Sequence, residues 1–357
     1  MSEENLTLEE VRQRAKGKLK GVCMVYKDCD GAPSRFCQNQ SYGGPLGIGG
    51  AGSGASFHNN WLALRRVNLK LRPIGDCAKP DTSMTLFGKK ISMPIMAAPV
   101  AGTGSFGGDE VITEEDFCNA VIDGSNMAGV IGWRGDSHAY SFDNTPCLTA
   151  IAKGGQGGVK IVKPRSQSDI MQFFELAEKS GVTAVGVDVD GHGSYMMNKH
   201  GQPVFRKSKA DLEELVNATS LPVIFKGIMC AEDAVEAAEA GAAAVVVSNH
   251  GGRVMDATPG AADVIPEVVK ALKGSNTLVL ADGAVRTGYD ALKMLALGAS
   301  AVLVGRDIVR AAVGAGAEGV RIQMEHFQKT FAQAMLMSGC KTLDDISSDI
   351  LAESSES

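Results

Sequence analysis

Short, almost continuously apolar runs recur along the chain, and each ends in a polar or glycine-containing turn before a segment with helical spacing begins. Eight occur, at residues 93–100, 127–133, 158–162, 184–190, 221–227, 242–250, 277–283 and 301–305. Continuous rather than alternating hydrophobicity predicts parallel strands buried on both faces. Helices must cover those faces, and residues 166–180, 231–240 and 287–297 supply them, with apolar residues three and four apart between charged ones. Eight regular units with no second nucleotide-type half predict an α/β fold of the TIM (β/α)8-barrel type; a doubly wound sheet is the alternative. Residues 8–19 predict an N-terminal helix, 318–337 and 343–351 predict extra C-terminal helices, and the glycine-rich stretch 42–56 predicts a cover over the barrel mouth.

The 357-residue length suits one barrel with terminal extensions. The expected organisation is a single domain, with an N-terminal helix and glycine-rich cover over 1–92, a barrel core over 93–315, and C-terminal helices with a short polar tail over 316–357. The 35 basic side chains are scattered among 41 acidic ones, for a net charge of −6, which leaves no electrostatic footprint for nucleic acid or an anionic membrane. A small molecule is the expected partner. No apolar run reaches membrane-spanning length, and the polar, acidic start fits neither a secretory signal nor a transit peptide, so the expected location is the cytoplasm. Eight cysteines are too sparse for a disulfide scaffold. Cys23, Cys29 and Cys37 lie close together, but their spacing matches no zinc or iron–sulfur pattern, so no metal is expected.

In a barrel of this type, functional groups sit at the C-terminal ends of strands. The sixth run leads into Ser248-Asn249-His250-Gly251-Gly252-Arg253. An imidazole there can take a proton at neutral pH, and a guanidinium three residues on can clamp a carboxylate through two parallel hydrogen bonds. The fourth run ends Asp188-Val189-Asp190, whose alternation aims both carboxylates the same way. One of them can orient a protonated His250; pairing with Lys160 or Lys226 is the structural alternative. Lys226 ends the fifth run, where a buried ammonium needs an anionic or electron-rich partner such as a cofactor edge. The last two runs offer Asp282-Gly283-Ala284-Val285-Arg286 and Gly305-Arg306, glycine amides and arginines at the place where barrels bind phosphate. A phosphorylated cofactor follows.

These strings, together with residues 87–99 and the closing Met337-Ser338-Gly339-Cys340, resemble the FMN-dependent 2-hydroxy-acid oxidases and dehydrogenases, from about Asn60 to Ile350. The resemblance implies FMN as cofactor and oxidation of an L-2-hydroxy acid, a small lactate- or glycolate-like carboxylate, to the 2-oxo acid. His250 would remove the α-proton or accompany its loss as hydride, with Asp190 holding the imidazolium and Arg253 the carboxylate. Pro99, Val100 and Ala101 would line the flavin ring, Lys226 would meet its N1 and O2 edge, and Ser248 the ribityl chain or ring. Asp282 and Gly283 would meet the ribityl hydroxyls and adjoining backbone, and Arg286, Gly305 and Arg306 the phosphate. Homo-oligomers, often tetramers, are typical of that family.

Departures from the family pattern concern the substrate. Two customary tyrosines fall on Leu46 and Val162, and an arginine-bearing segment after the fourth strand is replaced by Gly191-His192-Gly193-Ser194-Tyr195. A customary glutamine and threonine at the flavin become Lys160 and Asp188, an opposite-charge change that predicts an internal pair. Arg134, His192, Lys199 and Arg206 are the candidate replacements for the missing clamp. The electron acceptor stays open. An FMN-dependent isomerase of the isopentenyl diphosphate isomerase type and a flavin-binding protein without turnover are the alternative readings.

Overall fold

The structure is a computed structural model that describes residues 6–19, 51–76 and 78–352. Cys23, Cys29, Cys37, Leu46, most of the glycine-rich stretch and the last five residues lie outside the described residues. Eight short parallel strands form the core: β1 (Ile95–Ala97), β2 (Trp133–Arg134), β3 (Val159–Val162), β4 (Ala184–Asp188), β5 (Val223–Ile228), β6 (Ala244–Val247), β7 (Leu278–Ala281) and β8 (Ala301–Val304). Their order is β1-β8-β7-β6-β5-β4-β3-β2, so the first and last strands pair, with Val302 opposite Ile95. That order makes the sheet a nearly closed TIM barrel, as the strand count predicts. Every residue of β3, β4, β6 and β8 is buried, which is why each reads as an apolar run, broken only by Lys160 in β3 and Asp188 at the end of β4. An antiparallel hairpin of Met84–Leu86 and Lys89–Ile91 precedes the barrel.

Helix boundaries follow local chemistry. Ser166 caps Gln167–Lys179 by accepting the Asp169 N–H, and Thr287 forms a capping box with Asp290 at Gly288–Ala296. The second strand is shorter than the 127–133 run suggests. Helix Glu114–Met127 consumes the start of that run and closes on Gly129 at φ 72°, where Gly129 N–H donates to Asn126 and Val130 N–H to Ser125. This paired C-terminal bonding stops the helix and leaves only Trp133 and Arg134 to pair with β3.

Two other expectations change. A helix, Ala55–Arg66, begins inside the stretch read as cover, and the predicted 343–351 helix is two single turns, Leu343–Asp345 and Ser348–Ile350. There the Asp345 carboxylate captures the Lys341 and Thr342 N–H groups at 2.8 Å, and Ser347 caps again five residues later, so side chains compete with helix propagation. The outer helix extends over Arg306–Ser338 with non-helical backbone at Ala315 and Gly316. No helix among the described residues is long and apolar enough to cross a membrane.

The Gly288–Ala296 and Arg306–Ser338 helices meet backbone to side: a Cβ on Gly288 would lie 2.0 Å from the Phe331 nitrogen. Gly288→Val should therefore destabilise the fold by about 1–3 kcal/mol or more, the usual cost of forced overpacking. A thermal melt unchanged from wild type would contradict that packing.

Candidate active site

The C-terminal ends of the strands surround a cavity of about 340 Å³. Its walls include Pro99, Val100 and Ala101 beyond β1, Lys226 on β5, and His250 and Arg253 after β6. Asp282, Gly283 and Arg286 after β7 and Gly305 and Arg306 after β8 line its other side. Chain order thus brings together in space residues that the sequence scatters over more than two hundred positions.

His250 is built into place from three directions. Its backbone N–H donates to Ser248 Oγ at 3.0 Å, and its φ of 57° is left-handed, an uncommon state for a side-chain-bearing residue that the surroundings must hold. The loop is anchored by Asn249, whose Oδ1 accepts from Asn60 at 2.7 Å and from Gly252 N–H at 2.9 Å. Asp190 lies 3.1 and 3.2 Å from His250 Nδ1, in a turn immediately beyond β4. Room for that carboxylate comes from Gly227 at the end of β5, where a Cβ would sit 2.4 Å from the Asp190 Cγ.

Behind the wall, charges alternate across the strand ends. Lys163 Nζ donates to Asp188 Oδ2 at 2.7 Å; Asp188 Oδ1 lies 3.3 Å from Lys226 Nζ; and Lys226 Nζ lies 3.6 Å from Asp282 Oδ2 and 3.1 Å from Ser248 Oγ. Asp188 Oδ1 also stands 3.7 Å from His250 Nδ1. Burial raises the Asp188 pKa, but His250, Lys163 and Lys226 outweigh it and hold the carboxyl far below its ordinary range. Burial likewise lowers the Lys226 pKa, and Asp188, Asp282 and Asp190 more than reverse it, keeping the ammonium charged. At His250 burial wins: its pKa falls below the ordinary imidazole value despite Asp188 and Asp190, with Lys226 and Lys163 pushing the same way. The ring is therefore neutral at pH 7. With Nδ1 toward Asp190, Nε2 is the nitrogen left to accept a proton.

The opposite-charge change at Lys160 and Asp188 does not form the expected internal pair. Asp188 takes Lys163 and Lys226 instead, while Lys160 Nζ, on β3, donates to the Gly135 carbonyl at 2.5 Å and sits 4.9 Å from the Tyr140 ring centre. Lys160, Asp188, Asp190 and Ser248 are not part of the cavity wall and reach it only through their neighbours. None of the four suggested clamp residues lines the cavity either. Arg134 is buried against Glu114 and Phe117, His192 is exposed with Nδ1 at the Val189 carbonyl, and Lys199 and Arg206 are exposed. In their place the wall carries Lys163, Asp136, Ser137, His138 and Ser194, which the sequence reading passed over. Lys163 follows directly on the end of β3 and Asp136 lies two residues beyond the end of β2, the one signal that could have found them.

The cavity has the polarity of a flavin mononucleotide site. At one end Arg286 and Arg306 line it beside the first turn of Arg306–Ser338, and helix N-termini favour phosphate. Asp307 pairs with Arg286 at 3.2 Å and with Arg310, and Arg306 donates to the Gly251 carbonyl at 3.1 Å. Gly305 leaves space, since the nearest atoms to a Cβ there would be 3.8 Å away. Asp282 Oδ1 is buried without a hydrogen-bond partner among the described residues, an acceptor suited to a ribityl hydroxyl. Lys226 supplies positive charge between these ends.

Comparison with known proteins agrees with this chemistry. Residues 47–201 and 193–353 match the model of the FMN-dependent dehydrogenase family. A peroxisomal (S)-2-hydroxyacid oxidase of Arabidopsis thaliana is 31% identical over 337 residues, covering 84% of this chain and 88% of its own. The 4-hydroxymandelate oxidase of Amycolatopsis orientalis is 32% identical over 321 residues, covering 83% of this chain and 89% of its own. A crystal structure of mandelate oxidase superposes with a TM-score of 0.78 at 28% identity, over 97% of each chain. This chain belongs to the FMN-dependent dehydrogenase family, as an FMN-dependent oxidoreductase related to the 2-hydroxy-acid oxidases.

Proposed function

We propose that the enzyme oxidises a small L-2-hydroxy acid, of the lactate or glycolate kind, to the 2-oxo acid, with His250 as the proton-accepting residue. The observation that carries this reading is the neutral His250 ring facing the cavity with Asp190 3.1 Å behind its Nδ1. A base must be unprotonated before the reaction and stabilised once protonated; burial provides the first and the Asp190 carboxylate the second. Arg253 lines the same wall three residues on and offers a planar fork to the substrate carboxylate. FMN, when bound, takes up the two electrons that leave the substrate carbon. Lys226, with its charge secured by Asp188 and Asp282, stabilises negative charge that reduction adds nearby. Asp282 holds hydroxyls of the cofactor chain, and Arg286, Gly305 and Arg306 hold its phosphate. Pro99, Val100 and Ala101 give the apolar wall against which a flat ring packs.

His250→Gln should retain FMN and slow anaerobic flavin reduction by at least about a hundredfold, the low end for losing a general base. Reduction at the wild-type rate in a stopped-flow experiment would remove His250 from the chemistry. Because the His250 pKa lies below the ordinary imidazole value, the acid limb of kcat/KM should have its midpoint below that value, with activity lost as the ring takes its proton. A descending limb at or above pH 6.5, about where unperturbed imidazole titrates, would contradict the neutral base. Arg286→Ala should lower the flavin content of the purified protein, read from its visible spectrum; full occupancy would exclude the phosphate role.

A further inference from the structure

We propose that Lys163 binds the substrate, joining Arg253 to hold the carboxylate of the 2-hydroxy acid between two cations. The proposal rests on the functional reading above and deepens it, because it gives the substrate clamp a residue. Five lysines and arginines line the cavity; Arg286 and Arg306 belong to its phosphate end, which leaves Lys163, Lys226 and Arg253. Lys226 is committed to three oxygens, those of Ser248, Asp188 and Asp282. Among the described residues the Lys163 ammonium has one oxygen partner, Asp188 Oδ2, and an ammonium carries three donors, so two remain for a ligand in the cavity it lines.

Its position is fixed at both ends. The Lys163 backbone N–H donates to Asp136 Oδ2 at 2.9 Å, and Asp136 is itself gripped by the Arg165 guanidinium at 2.8 and 3.1 Å. At the far end Asp188 holds the ammonium while its other oxygen lies 3.7 Å from His250 Nδ1. One carboxylate therefore separates the binding cation from the base. A 2-hydroxy acid needs a cation and a base on the same cavity wall, since the carbon that loses hydrogen is bonded directly to the carboxylate, and Lys163 and His250 both line it. Held in this way, the cation is arranged before the substrate arrives, and little side-chain freedom remains to be lost on binding.

The test uses the flavin-loaded protein with L-lactate, L-mandelate and the corresponding amides, which keep the shape but lack the charge. Lys163→Met should weaken binding of the acids at least about tenfold, the scale of a lost charge-assisted hydrogen bond, and leave the amides unchanged. Lys163→Arg should restore acid binding to within about threefold. Unchanged acid binding in Lys163→Met would overturn the proposal, as would equal weakening of acids and amides, which marks a residue acting only through the fold. Should Lys163→Met fail to fold with Asp188 left short of a partner, the double variant Lys163→Met/Asp188→Asn removes both charges and should show the same acid-specific loss. Calorimetric titration with oxalate, which needs no turnover, separates the two readings. A wild-type protein that binds oxalate through Lys163 yet is reduced by no hydroxy acid would sink the functional reading and keep the binding site. Reduction by an acid with no dependence on Lys163 would do the reverse.

Discussion

A carboxylate shared by two buried ammonium groups governs the mouth of this barrel. Asp188, at the end of β4, has Lys163 at 2.7 Å on one oxygen and Lys226 at 3.3 Å on the other, and all three are buried. Buried charges are tolerated only when paired, and removing one partner costs more than the pair itself contributes. Through Lys226 the chain reaches Asp282 and Ser248, and through Asp188 it reaches His250. The ends of β3 to β7 are thus linked by charges that fail together if one is lost, and their mutational effects will not add.

The same network sets the base. His250 is pulled toward its charged form by Asp188 and Asp190 and away from it by burial, Lys226 and Lys163, and the second group prevails. Burial is the largest of these influences, and the two ammoniums add to it against the pull of the carboxylates. At the opposite end of the cavity a smaller version of the pattern recurs, with Asp307 between Arg286 and Arg310. There cations outnumber the carboxylate, as a phosphate requires.

Much of this was legible in the chain. Strands buried on both faces leave a nearly continuous apolar signature; six of the eight runs contain their strand whole, and the second and fifth stop one residue short, at Arg134 and Ile228. Where the reading differs from the structure, a competing interaction was responsible: the helix closing at Gly129 took the start of the second run, and the side chains of Asp345 and Ser347 broke the last predicted helix into turns. His250, Arg253, Lys226, Asp282 and Arg286 stood out in the sequence because each lies near or beyond a strand end, and the cavity gathers all five. Lys160 illustrates the limit of that logic. Alternation gives the face of a strand but not the depth along it, and Lys160 turned out to be buried against the Gly135 carbonyl. Lys163 directly follows Val162, the last residue of β3, so the strand-end rule extends to it as well.

The relatives share about a third of their residues with this chain over more than four fifths of its length. Anaerobic addition of L-2-hydroxy acids to the purified protein, followed in its visible spectrum, tests the joint claim of cofactor and reaction most directly. An oxidised flavin spectrum bleached by at least one acid is the predicted result. A protein that carries no flavin, or a bound flavin that no hydroxy acid reduces, would contradict it.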